Sequence, residues 1–403
     1  MRTDVLILNT AVLDLRSADF GFVEALAGPG GLARCETENL PAFTQEQYKA
    51  WIATGRATAG GPGNTAPLVA RIGLKVAVGV NLGAGNFGGL DIQGRTFYDI
   101  LAAQNVDLSA VHVHPSLPTG TAFIYEAPNN ERGGIAYFPC ANNDFDFEHY
   151  KDEVRRLKPS VVYYMYSGLS HSGDANGGRD LAAFMAWCRE QGCITMADSH
   201  TLTGNPQALI ERGEGVPAYR LLEPLLPELD IFFTSRDESR LIRNTLAKGS
   251  VCAGRSAEEE LQSDLDFLAE RFAARKSSSM RLLGVTVSSG AYVKAFKPGS
   301  VQAETCPCHS RFRSGDVVDL VGAGDSFRAG LIAYVAANRE QFAAGMLNVE
   351  EAVQFGNLTA RKYLTAPLAN RYAGIVPYEK LLAVVRNSRQ YRDSAELRKD
   401  LGL

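Results

Sequence analysis

Short, unbroken apolar runs alternate with amphipathic stretches along most of the 403-residue chain. The runs DVLILN (4–9), KVAVGV (75–80), VVYYMYSG (161–168), CITMADS (193–199), IFFTS (231–235) and LLGVTVSS (282–289) are bounded by polar residues or glycine. Successive strand side chains point to opposite faces, so an apolar run without alternation predicts a strand covered on both sides. Between these runs the spacing predicts helices over 65–73, 180–191, 237–247, 256–275, 325–338 and 349–364. In SFRAGLIAYVAANREQF, for example, Phe327, Leu331, Ile332 and Val335 share one helical face. Strands and helices in alternation predict an α/β fold with a doubly wound, mostly parallel sheet.

One stretch breaks this rhythm. Residues 106–140 hold three strand-like runs with turns and no helix, and GTAFIYEAP and GIAYFP flank the turn PNNERGG as in an antiparallel hairpin. The expected division is a discontinuous body, 1–105 and 141–403, with a small β lid over 106–140 joined by part of 10–45. Lids near strand ends are where such folds take up ligands. The lid's exposed strands offer edges through which a homodimer could form. The surplus length falls in expected loops at 83–89, 170–177, 202–228 and 246–256 and in a charged C-terminal helix.

Composition narrows the class. Hydrophobic residues make up 45% and charged residues 21%, enough apolar content for a core and against disorder. A net charge of −4 lacks the basic excess of a nucleic-acid binder. No apolar run approaches the ~20 residues of a membrane span. Asp4 and Asp14 flank the first apolar stretch, a poor signal peptide, so a cytoplasmic protein is expected. The seven cysteines are odd in number and dispersed, which implies no disulfide framework. Cys306-Pro-Cys308-His309 has no CxxC partner elsewhere and reads as strand cysteines, not a metal site.

Two segments carry chemistry. In Asp319-Leu-Val-Gly322-Ala323-Gly324-Asp325, small residues permit a tight turn directly before a helix. The amides of Gly322, Ala323 and Gly324 then face outward at a helix N-terminus, where the dipole favours an anion. Asp325 is placed to take a proton from a hydroxyl attacking a phosphate there; an ordinary helix start capped by Asp fits the same residues equally well. The second segment, Ala59-Gly60-Gly61-Pro62-Gly63-Asn64-Thr65, lets a ligand approach the backbone, and Asn64 offers both donor and acceptor. Gly83-Ala-Gly85-Asn-Phe-Gly88 matches GxGxxG literally, but glycines continue through Gly89 and Gly94, so a flexible loop is expected there and not a nicotinamide site.

Together the two segments, in this order, resemble the ribokinase-like (PfkB) carbohydrate and nucleoside kinases over roughly residues 4–385. The C-terminal block is similar to D-T-x-G-A-G-D-x-F-x-x-G, and the first to G-G-x-x-x-N-x-A…L-G, ending at Ile72-Gly73. Gly89-Leu-Asp91-Ile-Gln-Gly94 matches G-x-D-x-x-G, and Thr119-Gly-Thr-Ala122, Glu131-Arg132 and Cys140-Ala-Asn142 follow the lid elements in order. The long stretch before the glycine-rich block is nearer the adenosine-kinase-like branch.

The resemblance implies transfer of the ATP γ-phosphate to a sugar or nucleoside hydroxyl. Asp325 would be the general base, with the Gly322, Ala323 and Gly324 amides as the anion hole. Asp14, Gly60, Gly61 and Asn64 would grip substrate, while Asp198, Thr286, Ser288, Gly290 and Asn357 would border the nucleotide. Magnesium would involve Glu238, and a monovalent cation would sit beside the GAGD loop. Arg132 is the lid's one basic residue, which favours a neutral sugar or nucleoside over a phosphorylated substrate.

The chain departs from the pattern at several sites. N-x-x-E reads Ser235-Arg-Asp-Glu238, D-x-N reads Asp198-Ser-His200, the V-T-x-G glycine is Ser288, the Thr after Asp319 is Leu320, and the first glycine of the pair is Ala59. These changes motivate a rival, a non-catalytic binding protein that keeps the fold; the intact GAGD argues against it.

Overall fold

The computed structural model describes residues 2–28, 31–34, 43–126, 132–137, 140–247, 256–313 and 315–403. The apolar runs form the centre of an eight-stranded sheet. Its order is Ala303–His309, Gly290–Phe296, Arg281–Val287, Ile231–Ser235, Ile194–Ser199, Val161–Ser167, Val5–Leu8, Val76–Gly79. Six strands are parallel, and the first two form an antiparallel extension.

Both faces of this sheet are covered, as the unbroken runs require. Val5 and Ile7 join one core cluster, whereas Leu6 and Leu8 join the other. The first cluster contains the apolar stripes of helices Pro62–Ile72, Ala323–Ala337 and Val349–Leu364. The second contains those of Phe147–Leu157, Arg179–Glu190, Arg236–Leu246 and Ala257–Phe272. This is the doubly wound α/β architecture that the alternation predicts. Cys306 and Cys308 are half-buried and buried on the edge strand, and no group of three metal-ligating side chains forms among the described residues.

A second sheet of five strands runs in the order Leu32–Arg34, Arg132–Tyr137, Gly120–Glu126, Val12–Ser17, Ala57–Gly60. The hairpin is present: Gly120–Glu126 and Arg132–Tyr137 pair antiparallel, with Ile135 opposite Ile124 and a register shift before it. Most of its turn, 127–131, lies outside the described residues. Three of the five strands come from the first 60 residues. The third run of 106–140, His112–His114, leaves this sheet and pairs in parallel with Asn81–Gly85.

That pairing corrects the expectation for 83–89: Gly83 and Gly85 lie in a strand, because Asp91 binds Thr119 and Gly94 beneath them and fixes the turn. Residues 202–228 are likewise largely helical, with Pro206–Glu211 capped by Asn205. Segment 248–255, the core of the expected loop 246–256, falls outside the described residues. No helix is long and apolar enough to cross a membrane among the described residues.

Candidate active site

The parallel strands end at a cavity of about 780 Å³ between the two sheets. Sheets of this topology collect ligands at the carboxyl ends of their strands. One wall is the start of helix Ala323–Ala337. Its cap, Gly322, adopts φ +82° and packs its α-carbon against Tyr363 and Asn64, where a β-carbon would sit 2.9 Å from the tyrosine ring. Gly322, Ala323 and Gly324 all line the cavity; the Ala323 amide already donates to the Leu320 carbonyl (3.1 Å).

Asp325 lies in the first turn, almost fully buried. Its Oδ2 accepts from Asn64 Nδ2 (3.0 Å) and from the Tyr166 hydroxyl (2.6 Å), and its Oδ1 from Arg328 (2.9 Å). Tyr363 donates in turn to Asn64 Oδ1 (2.5 Å), which fixes which way the amide faces. Asn64 is therefore neither free nor a helix cap: the cap position of its helix is Gly61.

Asp14, Gly61 and Asn64 line the same part of the cavity, with Val12, Leu32, Ala122 and Leu169 around them. Gly60 stands behind Asp14, where any β-carbon would fall 2.6 Å from the Asp14 carboxylate. Burial pushes the Asp14 carboxyl up to about 7 despite the neighbouring Arg16, and Asp325 adds to the rise. Asp198 does not line the cavity. It is fully buried one layer behind the base, 2.8 Å from Arg328 and accepting from the Tyr166 amide (2.8 Å). Its burial also raises it to about 7, partly offset by Arg328.

Thr286, Ser288, Gly290 and Asn357 line the other half of the cavity, beyond the GAGD turn. Thr286 donates to the Thr234 carbonyl (3.2 Å) and Asn357 to Gln354 (3.4 Å). Arg236, Arg313 and Arg361, unremarked in the sequence, also line the cavity; the Arg361 guanidinium is paired with Asp316 and donates to the Ser394 hydroxyl (2.6 Å).

The residues expected to serve two cations differ in their fit. Glu238 is the third residue of helix Arg236–Leu246 and forms a capping box with Ser235. Its oxygens accept from Thr201 (2.9 Å), Thr234 (3.0 Å) and the Ser235 amide (2.9 Å). Glu238 and Asp237 both line the cavity, and burial together with Glu238 raises Asp237. Two adjoining carboxylates with hydroxyl neighbours are the hard-oxygen chemistry that magnesium takes, largely through water.

The surroundings of the GAGD loop do not fit a bare monovalent cation. The Asp319 carboxylate receives Arg16 (2.9 Å) and Arg371 (2.7 Å), and Arg371 also donates to the Val321 and Asp319 carbonyls (3.0 and 3.4 Å). The oxygens a cation would need are taken by guanidinium groups.

Comparison with known proteins agrees with this fold. A family profile described as pfkB family carbohydrate kinase matches residues 39–371. A search of curated proteins found no match. Among solved structures, the chain is similar to an adenosine kinase from Anopheles gambiae in complex with P1,P4-di(adenosine-5) tetraphosphate (17% identity, TM-score 0.64, covering 90% of this chain and 96% of that one). It is also similar to a fructokinase with bound ATP from Xylella fastidiosa (20% identity, TM-score 0.60, 96% and 99% covered). At such identities these likenesses speak for the fold, while the family match spans most of the sequence. The chain belongs to the pfkB family of carbohydrate kinases.

Proposed function

We propose that this protein transfers the γ-phosphoryl group of ATP to a hydroxyl of a neutral sugar or nucleoside. The observation that carries this reading is the convergence of Asp325, Asn64 and Asp14 at a helix N-terminus inside one cavity. Asp14 and Asn64 hold the acceptor's hydroxyls. Asp325 accepts the proton of the attacking hydroxyl, whose oxygen forms a bond to phosphorus as the bond to the β,γ-bridging oxygen breaks. The outward amides of Gly322 and Gly324 face the charge that develops on the phosphoryl oxygens; the Ala323 amide adds to them where its turn bond to Leu320 opens.

Thr286, Ser288, Gly290 and Asn357 border the nucleotide, and Arg236 and Arg313 supply positive charge for its phosphates. Glu238 and Asp237 would hold magnesium through water, and the ion would supply charge neutralisation for the phosphates. Asp198 acts through Arg328 as a positioning group and not by touching nucleotide. The acceptor half is walled by Val12, Leu32, Ala122 and Leu169, and the Arg328 guanidinium beside the base is spent on Asp198 and Asp325. A phosphorylated acceptor finds no free cation there among the described residues. The second sheet, which contributes Val12, Leu32 and Ala122 to this wall, is the lid in this reading.

The test is ADP release with magnesium and ATP against ribose, fructose, adenosine and related acceptors. Wild type is expected to turn over at least one of them. Asp325→Asn is expected to lose about 10²–10⁴-fold in kcat, the usual worth of a general base. Equal rates in both proteins sink the mechanism; saturable ATP or sugar binding without turnover favours a binding protein that keeps the fold.

A further inference from the structure

Tyr166 ends strand Val161–Ser167 in a conformation that tyrosine rarely takes, φ +58°. The pairing of this strand with Ile194–Ser199 slips between Tyr164 and Ser167, and that irregularity swings the ring over the cavity. Three contacts hold it there. Its amide donates to Asp198, its ring meets His200 edge-on at 4.2 Å between centroids, and its hydroxyl donates to Asp325 Oδ2 at 2.6 Å. Burial and the Asp325 carboxylate keep the phenol well above its ordinary pKa, so it is a proton donor and a poor nucleophile.

The chemistry of this contact is that of the reaction itself. A hydroxyl, donating to Asp325 on the oxygen that faces Asn64 and the acceptor half of the cavity, is what an acceptor must present. The other oxygen of Asp325 is taken by Arg328. We propose that Tyr166 is a specificity residue that occupies the acceptor hydroxyl's place on the base, denying it to water until a true acceptor displaces the phenol.

The reaction so prevented is hydrolysis of ATP. There a water oxygen forms the new bond to the γ-phosphorus, the bond to the β,γ-bridging oxygen breaks with its electron pair going to ADP, and the water proton passes to Asp325 and then to solvent. This inference rests on the phosphotransfer reading given above. It adds that the free protein holds its base shut by a side chain, with no need of a closed lid. A phenol can be displaced by a hydroxyl held at several points by Asp14 and Asn64, whereas a single water lacks those anchors.

The experiment compares ADP release without any acceptor, and with ribose, fructose or adenosine, for wild type, Tyr166→Phe and Tyr166→Phe/Asp325→Asn. Wild type is expected to release ADP without acceptor at under one hundredth of its rate with the acceptor it uses. Tyr166→Phe is expected to raise the acceptor-free rate at least tenfold and to lower the acceptor KM, with kcat changed less than threefold. A parallel fall in both rates marks Tyr166 as a mere support for Asp325 and overturns the proposal, as does an unchanged acceptor-free rate. Retention of the raised rate in the double variant shows that Asp325 is not the base, which is the failure of the phosphotransfer mechanism and not of the tyrosine alone. Should Tyr166→Phe fail to fold, wild type still decides: acceptor-free ADP release within tenfold of the coupled rate overturns the guard.

Discussion

Asp14 is fully enclosed between Arg16 and the acceptor half of the cavity, and burial lifts its carboxyl from 3.8 to about 7. In the unfolded chain it ionises near 3.8, so between that pH and about 7 the folded protein holds a proton the unfolded chain has released. A folded-state pKa raised in this way gives stability that is full below the unfolded value and is lost as pH rises through the folded one. At one pKa unit per 1.36 kcal/mol, the loss on going from pH 4 to pH 8 amounts to at most about 4 kcal/mol for this group. Asp14→Asn is expected to remove that share of the slope. Urea midpoints should show the variant more stable than wild type at pH 8 and much closer to it at pH 4.5. The same variant should raise the acceptor KM about tenfold or more, because a carboxylate that accepts hydroxyl hydrogen bonds is replaced by an amide. A variant less stable at pH 8 would mean that Arg16 outweighs burial at this site. In the proposed function the carboxylate is held for the substrate at the expense of the fold, a common trade at functional sites.

At the scale of elements, the helix Arg236–Leu246 poses a choice between two roles for one side chain. Glu238 closes a capping box with Ser235 and also lines the cavity beside Asp237. Glutamine at this position completes the same box, so Glu238→Gln is expected to keep the melting temperature within a degree or two. It removes a charge, and the magnesium concentration for half-maximal activity should rise several-fold. Glu238→Ala loses the cap as well and should cost about 1 kcal/mol. An unchanged magnesium requirement in the glutamine variant would reduce Glu238 to a cap.

Elements also show how far the sequence alone reaches. The central strands and the GAGD helix were legible because burial on both faces, or on one helical stripe, leaves a period that survives in sequence. Gly290–Phe296 was not, and Ala303–His309 only through its cysteines, since an edge hairpin with half-exposed positions such as Tyr292 and Cys306 carries a weaker pattern. His112–His114 follows a partner chosen by the Asp91 turn, which no local period encodes. Asp325, Asn64 and Asp14 were found through motifs. Tyr166 was not, because VVYYMYSG reads as core, and only a left-handed backbone turns that one ring to the cavity. Arg328 had a signal that went unused: it stands three residues after Asp325 on one helix, the spacing of an ion pair.

For the molecule as a whole, the decisive link joins segments more than 300 residues apart in sequence. Arg16 lies on strand Val12–Ser17 of the second sheet, Asp319 opens the GAGD loop, and Arg371 follows the helix Val349–Leu364. The Arg371 guanidinium also stacks 4.0 Å over the Tyr363 ring, the same tyrosine that orients Asn64. Second sheet, anion loop and C-terminal helix are therefore clamped at one carboxylate, close to the residues that would position substrate. In the proposed function, this fixed positive charge behind the loop does electrostatically what a bound monovalent cation would do, and Arg371 occupies the Asp319 carboxylate and the Val321 carbonyl. The expected outcome is indifference: replacing KCl by choline chloride at constant ionic strength should leave both activity and melting temperature of the wild type unchanged. Arg371→Met should destabilise the protein by about 3 kcal/mol, since it removes a buried guanidinium and strips a half-buried carboxylate of one partner. In that variant, but not in wild type, potassium should raise the melting temperature, because the Asp319 carboxylate and the Val321 carbonyl are then open to it. Several-fold stimulation of the wild type by potassium would show that a cation binds in spite of the two arginines, and that the clamp opens during turnover.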